Sequence, residues 1–304
     1  MAISRAQLVK ELEPGLNALF GLEYKRYENQ HAEIYTVESS DRAFEEEVML
    51  SGFANAEVKA EGSGVSFDEA QETYTARYTH DTIALAFAIT EEAIEDNLYD
   101  RLASRYTKAL ARSMSNAKQV KAAAPLNNGL SSIATFKAGD TVSLFSTNHT
   151  TVSGTAVKNT LTTQADLNET SLEQGLIDIA GMTDERGLRV AARGMKMIVP
   201  SANQFAAERL LKSQGRTGTA DNDINAVVSM GMIPQGYRVN NFLTDTDSWY
   251  IVTDVPNGMK MFQRAALKTA MEGDFDTGNV RYKARERYSF GVSDYRGIFG
   301  VEGA

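Results

Sequence analysis

The chain has 304 residues, a length typical of about two domains, and 42% of its residues are hydrophobic. It contains no cysteine, which excludes disulfides, thiolate metal sites and cysteine nucleophiles and favours a reducing compartment. The formal net charge of -9 argues against a broad basic surface that wraps nucleic acid, so any contact with nucleic acid must be local.

The histidines and the amino end disfavour two further classes, metalloenzymes and membrane proteins. His31, His80 and His149 are far apart in sequence and lie on segments of different character, which disfavours a histidine metal site or a catalytic triad. Residues 1–10 alternate polar and apolar side chains, unlike a targeting segment, and no run approaches the roughly 18 apolar residues of a membrane span. We therefore expect no metal, no other cofactor and no membrane partner, and a chain that is cytosolic when it is made.

The first segment has the pattern of an amphipathic helical arm, softly interrupted by Pro14-Gly15. Its apolar residues at helical spacing are Leu8, Leu12, Leu16, Leu19, Phe20 and Tyr24. Packing on the chain's own core and packing on a neighbouring subunit fit this pattern about equally well.

Between Phe44 and Thr90 the apolar residues alternate with a period of two, which predicts β-strands. A break at Gly52 and the turn cluster Gly62-Ser63-Gly64 interrupt the pattern, so we expect a long hairpin. The residues that share strand faces are Tyr74, Ala76 and Tyr78, and later Ile83, Leu85, Phe87 and Ile89. Because two strands alone are marginally stable in water, this hairpin needs a supporting surface from its own domain or from a neighbour.

The stretch from Thr90 to Pro125 has the pattern of one long helix, capped at Thr90 and ended by the proline. Apolar or small residues recur along it in steps of three and four: Ile94, Leu98, Leu102, Tyr106, Ala109, Ser113, Ala117 and Val120. The charged residues expected to meet water are Asp96, Asp100, Arg101, Arg105, Lys108 and Arg112. At about 1.5 Å per residue the helix would be on the order of 50 Å long, which suits a beam across a large surface better than one layer of a compact enzyme core.

The second half of the chain has an α+β pattern. Residues 127–168 are rich in Ser, Thr, Asn and Gly and predict surface loops with brief strands. The elements predicted after them are a helix from Thr170 to about Thr183, a strand at Met195–Val199, a helix opened by Pro200-Ser201, strands around Tyr237–Phe242 and Trp249–Thr253, and a strand-rich end at Gly278–Phe299. No repeat and no linker separates them, so we expect the domains to interleave.

Motifs for catalysis or ligand binding are weak. Gly215-Arg216-Thr217-Gly218 lacks the lysine and the spacing of a phosphate-binding loop, and Ser63 lacks the spacing of a nucleophile elbow. The segment Asp274–Gly278 lacks the closing glutamate of a calcium loop. The carboxylates of Glu91, Glu92, Glu95 and Asp96 crowd one helix start, where they stabilise the helix dipole without any catalytic role. We expect no enzyme, although a soluble enzyme that uses the carboxylates near Glu91 is a distant alternative.

One charged pattern is a candidate for a functional surface. Near the carboxyl end, cations alternate with apolar residues, which places four cations on one face of a strand: Arg281, Lys283, Arg285 and Arg287. They form either a solvated face or an electrostatic seam that meets acidic residues of an adjacent chain. The candidate acidic residues are Glu45, Glu46 and Glu47, or Glu91, Glu92 and Glu95. Nucleic acid is a third option, weakened because no stacking aromatics share the basic face.

Four long strings in this sequence resemble a family of tailed-bacteriophage major capsid proteins, the Mu-like major head subunit group. They are RAFEEEVMLSGF at Arg42–Phe53, ARYTHDTIALAFAITEEAIEDNLYD at Ala76–Asp100, RYTKALARSM at Arg105–Met114 and MEGDFDTGNVRYKARERYSFGVSDYRGIFG at Met271–Gly300. The resemblance covers most of the chain and is weakest in the loops of residues 127–168. It implies the Hong Kong ninety-seven type of capsid fold, an α+β fold with an amino-terminal arm, an extended hairpin called the E-loop, a spine helix, and peripheral and axial domains.

The resemblance also implies domain boundaries. By position, residues 1–43 would be the arm, 44–89 the E-loop region, 90–187 the peripheral domain with the spine helix at 90–125, and 188–262 the axial domain. Residues 263–304 would return to the peripheral domain.

The implied function is a structural head protein that self-assembles through pentamers and hexamers into an icosahedral shell around double-stranded DNA. Its implied partners are other copies of itself, a separate scaffolding protein, a portal, and packaged DNA held without sequence-specific binding. Its implied location is the virion, after assembly in the host cytoplasm. An encapsulin-like compartment that holds cargo protein is the alternative of related fold.

Overall fold

The computed structural model describes residues 5–90, 92–93, 99–131, 137–216, 223–274 and 278–303. Two four-stranded sheets and the helices that cover them make up most of the fold. The helices are α1 (Arg5–Arg26), α2 (Tyr99–Asn127), α3 (Glu169–Ala180), α4 (Gln204–Lys212) and the short α5 (Ala226–Ser229). The strands are β1 (Thr36–Ser39), β2 (Phe44–Leu50), β3 (Glu72–Thr79), β4 (Asp81–Ile89), β5 (His149–Thr150), β6 (Ala156–Val157), β7 (Gly194–Val199), β8 (Tyr237–Val239), β9 (Trp249–Thr253), β10 (Met259–Gly273), β11 (Val280–Val292) and β12 (Ile298–Val301).

The first sheet has the order β1-β10-β11-β4. Strand β1 runs parallel to β10, and the other neighbours are antiparallel. Helices α1 and α2 cover one face of this sheet, which we call the helix side. On that side Phe20 of α1, Met114 of α2 and Tyr282 of β11 share one apolar core. The opposite face is the open side of the sheet.

The second sheet has the order β12-β9-β7-β8 and is buried more completely. Trp249 and Phe299 of this sheet have no exposed surface and pack against Gly175 of α3. A third apolar core joins the two sheets, with Tyr250 and Ile298 from the second sheet and Met261 and Tyr288 from the first. The two sheets therefore share buried side chains.

Strands β2 and β3 form the predicted hairpin, which pairs from Phe44 opposite Thr79 to Leu50 opposite Glu72, with a shift of register between Val48 and Leu50. Residues 51–71 form its tip and contain no strand. Strand β4 follows directly but pairs with β11 instead of the hairpin. The alternating stretch of residues 44–90 is thus a hairpin plus one strand of the first sheet.

The long helix differs from the prediction in its buried face. The predicted stripe is wrong in the described part of the helix, because Tyr106 is 49% exposed, Val120 is 50% exposed, and Ala109 and Ser113 are exposed. The residues that α2 buries are instead Ala103, Thr107, Leu110, Ala111, Met114, Ser115, Lys118, Gln119, Ala122, Ala123 and Leu126. This face includes polar side chains whose partners come from distant parts of the chain, which spacing alone does not reveal.

The bounds of α2 differ as well. Pro125 lies inside the last turn, and the helix ends at Asn127, two residues later than predicted. Its predicted start falls partly on residues 91 and 94–98, which lie outside the described residues.

The amphipathic arm is helical, and it packs on its own chain through Leu16 and Phe20, while Leu22 is 73% exposed. The strand-rich end is present as β11 and β12. Strand β10, the longest in the described residues, is absent from the prediction. The predicted domain boundary between residues 262 and 263 falls inside β10, and β12 pairs with β9, so the end of the chain contributes to both sheets.

Candidate interaction surfaces

The hairpin tip is the most exposed segment in the described residues, since every residue from Phe53 to Glu72 is exposed. Val58 is 99% exposed and Phe67 is 95% exposed. Inside the tip, the Asp68 carboxylate accepts a hydrogen bond from the Ala54 N–H at 2.7 Å, and this bond holds the pKa of Asp68 below its usual value. Large apolar side chains held fully in water are a feature of surfaces that another molecule covers.

The base of the hairpin is fixed to the open side of the first sheet. Tyr78 of β3 packs edge-on against Phe262 of β10, with ring centroids 4.8 Å apart. The buried Lys260 Nζ lies 2.5 Å from a Glu47 oxygen and 3.1 Å from a Glu38 oxygen. Ser293 donates a short hydrogen bond to the other Glu47 oxygen. The sheet thus orients the base of the hairpin, and a further contact reaches its tip, where Arg186 donates to the Glu69 carbonyl oxygen and pairs with Asp68.

Two titrating groups at this base have shifted pKa values. Burial by itself lowers the pKa of Lys260, but hydrogen bonds to Glu47 and Glu38 outweigh burial and hold the pKa above its usual value. Burial, with the nearby Arg287 cation, lowers the pKa of His80. The His80 ring nitrogens lie within 3.0 Å of the Ser40 and Ser289 hydroxyl oxygens.

The four predicted cations lie on the open side of the first sheet, beyond the hairpin base. Arg281, Lys283 and Arg285 are exposed, and Arg287 is half-buried. Opposite the three exposed cations, β4 places only alanines: Ala84, Ala86 and Ala88. We call these three alanines and the four cations the cationic strip.

Within the described residues, Lys283 and Arg285 have no carboxylate at ion-pair distance, whereas Arg281 pairs with Asp274. Lys268 of β10 lies opposite Arg285 and adds another exposed cation. Unpaired like charges on neighbouring strands repel each other, so an anionic partner would stabilise the cationic strip.

The predicted acidic residues are only partly available to a partner. Glu47 is used within its own chain by Lys260, and Glu46 lies 3.7 Å from Arg77 across the hairpin. Glu45 accepts a hydrogen bond from the Ser40 hydroxyl. Glu92 is exposed, whereas Glu91, Glu95 and Asp96 lie outside the described residues.

The solvent face of α2 is a second charged surface, on the helix side of the first sheet. Arg105, Lys108 and Arg112 are exposed there, as the sequence predicts. A groove of about 570 Å³ separates this face from the end of α1, and its lining includes Tyr27, Ser113 and Asn116.

Beneath that surface, α2 and β11 share a buried ion pair. Lys118 Nζ lies 3.1 Å from a Glu286 carboxylate oxygen, and only 1% of the Glu286 side chain is exposed. Burial raises the pKa of Glu286, and the Lys118 cation partly offsets the increase. Burial also lowers the pKa of His31 to about 4, with a further contribution from Lys118. The ion pair links the helix to the sheet.

Another buried network lies at the start of β12. Arg296 pairs with Glu185 and Asp294, and its guanidinium lies over the Tyr295 ring. His149 stacks on the Tyr295 ring, with the two ring centroids 3.8 Å apart. The ion pair of Arg296 with Glu185 links the start of β12 to a loop 111 positions earlier in the chain.

Among the described residues, no three or more Asp, Glu or His side chains converge as metal ligands, and no helix is both long and apolar enough to cross a membrane. The Ser63 hydroxyl donates to the Ala60 carbonyl, as a turn serine does. Burial raises the pKa of Asp245 to about 6, with a contribution from Asp247, in a surface turn.

The sequence and the fold were compared with known proteins. The model of a family described as phage capsid protein matches residues 73–301. No curated protein sequence matches the chain.

Solved capsid structures share the fold at low sequence identity. The procapsid of bacteriophage JBD30 is similar with a TM-score of 0.55 and 14% identity, over 99% of this chain and 77% of that one. Mycobacterium phage Che8 is similar with a TM-score of 0.53 and 16% identity, over 90% of each chain. A virus-like particle from Pyrococcus furiosus is similar with a TM-score of 0.52 and 11% identity, over 94% of this chain and 98% of that one.

The family match spans about three quarters of the chain, and it implies a structural role in the virion instead of a catalytic one. The fold predicted from the resemblance, a Hong Kong ninety-seven type capsid fold, is confirmed by the solved capsids. The chain therefore belongs to the phage capsid protein family and is a structural major capsid protein.

Proposed function

We propose that copies of this chain assemble through pentamers and hexamers into an icosahedral shell that encloses double-stranded DNA. The observation that carries the proposal is the hairpin tip, in which every residue from Phe53 to Glu72 is exposed although several are large and apolar. A subunit that works alone has no use for such a segment, whereas a closed shell built from one subunit needs heterologous contacts repeated around its rings.

The domain organisation implied by the resemblance is part of this proposal. Residues 1–43 act as the arm, 44–89 as the E-loop region, 90–187 and 263–304 as the peripheral domain, and 188–262 as the axial domain. The pairing of β2 with β3 and the length of α2 support the hairpin and spine assignments.

The cationic strip serves as an intersubunit seam in this proposal. Lys283 and Arg285 have no carboxylate partner among the described residues and lie over the small side chains of Ala84 and Ala86. A flat cationic surface of this kind suits an acidic segment of an adjacent copy. Because Glu47 is held by Lys260, exposed acidic residues such as Glu46 and Glu92 are better placed than Glu47 to supply it.

A separate scaffolding protein and a portal complete the assembly, with the shell forming in the host cytoplasm. The match to phage capsid proteins favours a DNA-filled head over an encapsulin-like compartment, whose cargo is protein.

Electron microscopy of the purified protein, with a candidate scaffolding protein supplied, tests the proposal directly. Closed particles are expected, and a chain that stays monomeric by light scattering under those conditions would overturn it. Native particles that hold protein cargo and no DNA would instead support the compartment.

A deletion of residues 60–72 tests the role of the hairpin tip. The deleted segment contacts the body of the chain through Arg186, which pairs with Asp68 and donates to the Glu69 carbonyl oxygen, but every residue of the segment is exposed, so the free subunit should fold and stay soluble. We expect no stable shells from it. Shells in normal yield would show that the tip is dispensable.

A further inference from the structure

The solvent face of α2 carries three cations whose charges nothing in the described chain neutralises. Arg105, Lys108 and Arg112 are exposed, and no described carboxylate lies at ion-pair distance from any of them. Their spacing of three and four residues places them on one face of the helix. At about 1.5 Å per residue they cover about 10 Å of helix axis, and phosphates of one DNA strand follow each other every 3.4 Å or so along the duplex axis.

The groove beside these cations adds neutral hydrogen-bond donors. Ser113 and Asn116 of α2 line it together with Lys108 and Arg112, and Tyr27, which follows α1, completes the lining. Glu23 is the one carboxylate in its lining, and it already accepts a hydrogen bond from the Tyr27 hydroxyl at 3.2 Å and lies 3.5 Å from Arg26. The groove is therefore suited to an anion with several acceptor oxygens.

This surface and the proposed seam lie on opposite sides of the first sheet. Helices α1 and α2 cover one side of the first sheet, whereas the hairpin base and the cationic strip lie on the open side. In a shell one subunit thick, these two sides face opposite directions. A seam on the open side leaves the helix side uncovered by that contact and therefore available to the contents of the shell.

We propose that the exposed face of α2, through Arg105, Lys108 and Arg112, binds the phosphate backbone of double-stranded nucleic acid without reading its sequence. The inference rests on the proposed function, since the shell brings the nucleic acid to this face. Three cations give a weak contact, and a weak contact is compatible with a chain whose formal net charge is -9. The alternative occupant of the same face, an acidic protein segment, is an outcome of the test.

The test measures binding of a fluorescent 20-base-pair duplex of mixed sequence to the unassembled full chain, by anisotropy, across a salt series. The test variant is R105Q/K108Q/R112Q, because glutamine has a helix propensity close to that of arginine and lysine. The control variant is K268Q/K283Q/R285Q on the open side, which removes the same charge from three exposed cations. Thermal unfolding of each variant verifies folding.

We expect the α2 variant to lose affinity and the open-side variant to retain it. With three fewer phosphate contacts the slope of log affinity against log salt should shrink by about 2.7. Between 50 and 200 mM salt, wild-type affinity should therefore fall about 40-fold more than that of the α2 variant.

Three results would overturn the inference: equal losses in both variants, a loss confined to the open-side variant, or duplex binding that the α2 variant leaves unchanged. Polyglutamate that binds the wild-type chain and the open-side variant but not the α2 variant, where duplex DNA binds none of them, would also overturn the inference and assign the face to an acidic protein. Shell formation is scored separately by electron microscopy, so a failure of DNA binding and a failure of assembly give different results.

Discussion

The second sheet and the hairpin tip are opposite solutions to the burial of apolar side chains. In the second sheet, Trp249, Ile251 and Phe299 have no exposed surface, and helix α3 packs directly against them. In the hairpin tip, Val58 and Phe67 are almost fully exposed, and the tip meets the body of the chain through a polar contact between Arg186 and Asp68. The second sheet buries its apolar side chains within one chain, whereas the hairpin tip leaves its apolar side chains in solvent.

This difference separates residues that make the subunit fold from residues that make it assemble. Removing buried apolar volume costs stability in the free subunit, because the contacts are lost there. Changing the exposed tip or the exposed cations Arg281, Lys283 and Arg285 costs the free subunit little, because solvent already surrounds those groups. Stability and assembly should therefore respond to different substitutions.

The substitution Trp249→Ala should have the largest effect on the free subunit, about 3–5 kcal/mol of unfolding free energy. It removes a fully buried indole and the hydrogen bond from its Nε1 to the Ala165 carbonyl at 3.1 Å. The matched control is Phe67→Ala in the hairpin tip, which should change stability by less than about 0.5 kcal/mol and lower shell yield. The free energy of unfolding of both variants is measured in denaturant. Similar losses of unfolding free energy would contradict the proposed difference between the second sheet and the hairpin tip.

The substitution Lys118→Met tests the buried ion pair beneath the helix side and should cost about 3–5 kcal/mol at pH 8. It leaves the Glu286 carboxylate buried without its cation. The pKa of Glu286 is already raised above 4.5 by burial, and the loss of Lys118 raises it further. A carboxyl with a raised folded-state pKa favours folding at low pH and loses that contribution as pH rises through the folded-state pKa.

The cost of Lys118→Met should therefore be smaller at pH 5 than at pH 8. Lys121→Met is the control on the same helix, because Lys121 pairs with the exposed Asp81. It should cost at most about 1 kcal/mol, with little dependence on pH in this range. Equal pH profiles for the two variants would show that Glu286 keeps its charge in the variant fold.

The sequence predicts the parts of this fold whose partners are close in the chain or whose period is simple. The hairpin β2–β3 and the alternation of Arg281, Lys283 and Arg285 follow from a period of two, and the structure has both. The cationic strip as a seam stays a prediction, because alternation fixes the side of the sheet and not what covers it.

The buried face of α2 could not be predicted in the same way. Spacing favours the apolar Tyr106 and Val120, which are exposed, over Lys118 and Gln119, which are buried. The partners that make burial of the latter pair possible are Glu286, 168 positions later, and His31, 88 positions earlier. A buried polar residue is stable only with its partner, and the partner is invisible to local periodicity.

The sequence pattern does not predict strand β10, for a related reason. Its centre is rich in Ala, Leu, Lys and Met, which favour helices, and irregular register between Gln263 and Lys268 breaks the alternation. Pairing with β11 along most of its length overrides that preference.

The substitution Gly297→Ala should cost about 1–3 kcal/mol, less than loss of the indole. A β-carbon at this position would collide with the backbone of Gly258, at the turn that precedes β10. Backbone cannot move aside as a flexible side chain can. Gly21→Ala in α1 is the matched control, since nothing lies within 4 Å of the added carbon and the change should stabilise the helix by about 0.4–1 kcal/mol. A loss of stability in both variants would indicate an effect other than the collision with Gly258.

Reversal of Arg285 and Arg287 to glutamate should have the smallest effect on the free subunit, about 1 kcal/mol or less, because neither cation has a carboxylate partner among the described residues and the half-buried Arg287 makes only a long hydrogen bond, 3.5 Å, to the His80 carbonyl oxygen. Shell yield should nevertheless fall, since the acidic partner of an adjacent copy would meet like charge. Reversal of the exposed Lys137 and Arg193 changes net charge equally and should leave assembly intact. Particle counts from electron micrographs and unfolding curves measured on the same preparations separate the two effects. Unchanged particle yield in the Arg285 and Arg287 variant would remove the cationic strip from the set of contacts between copies and leave the hairpin tip as the main candidate.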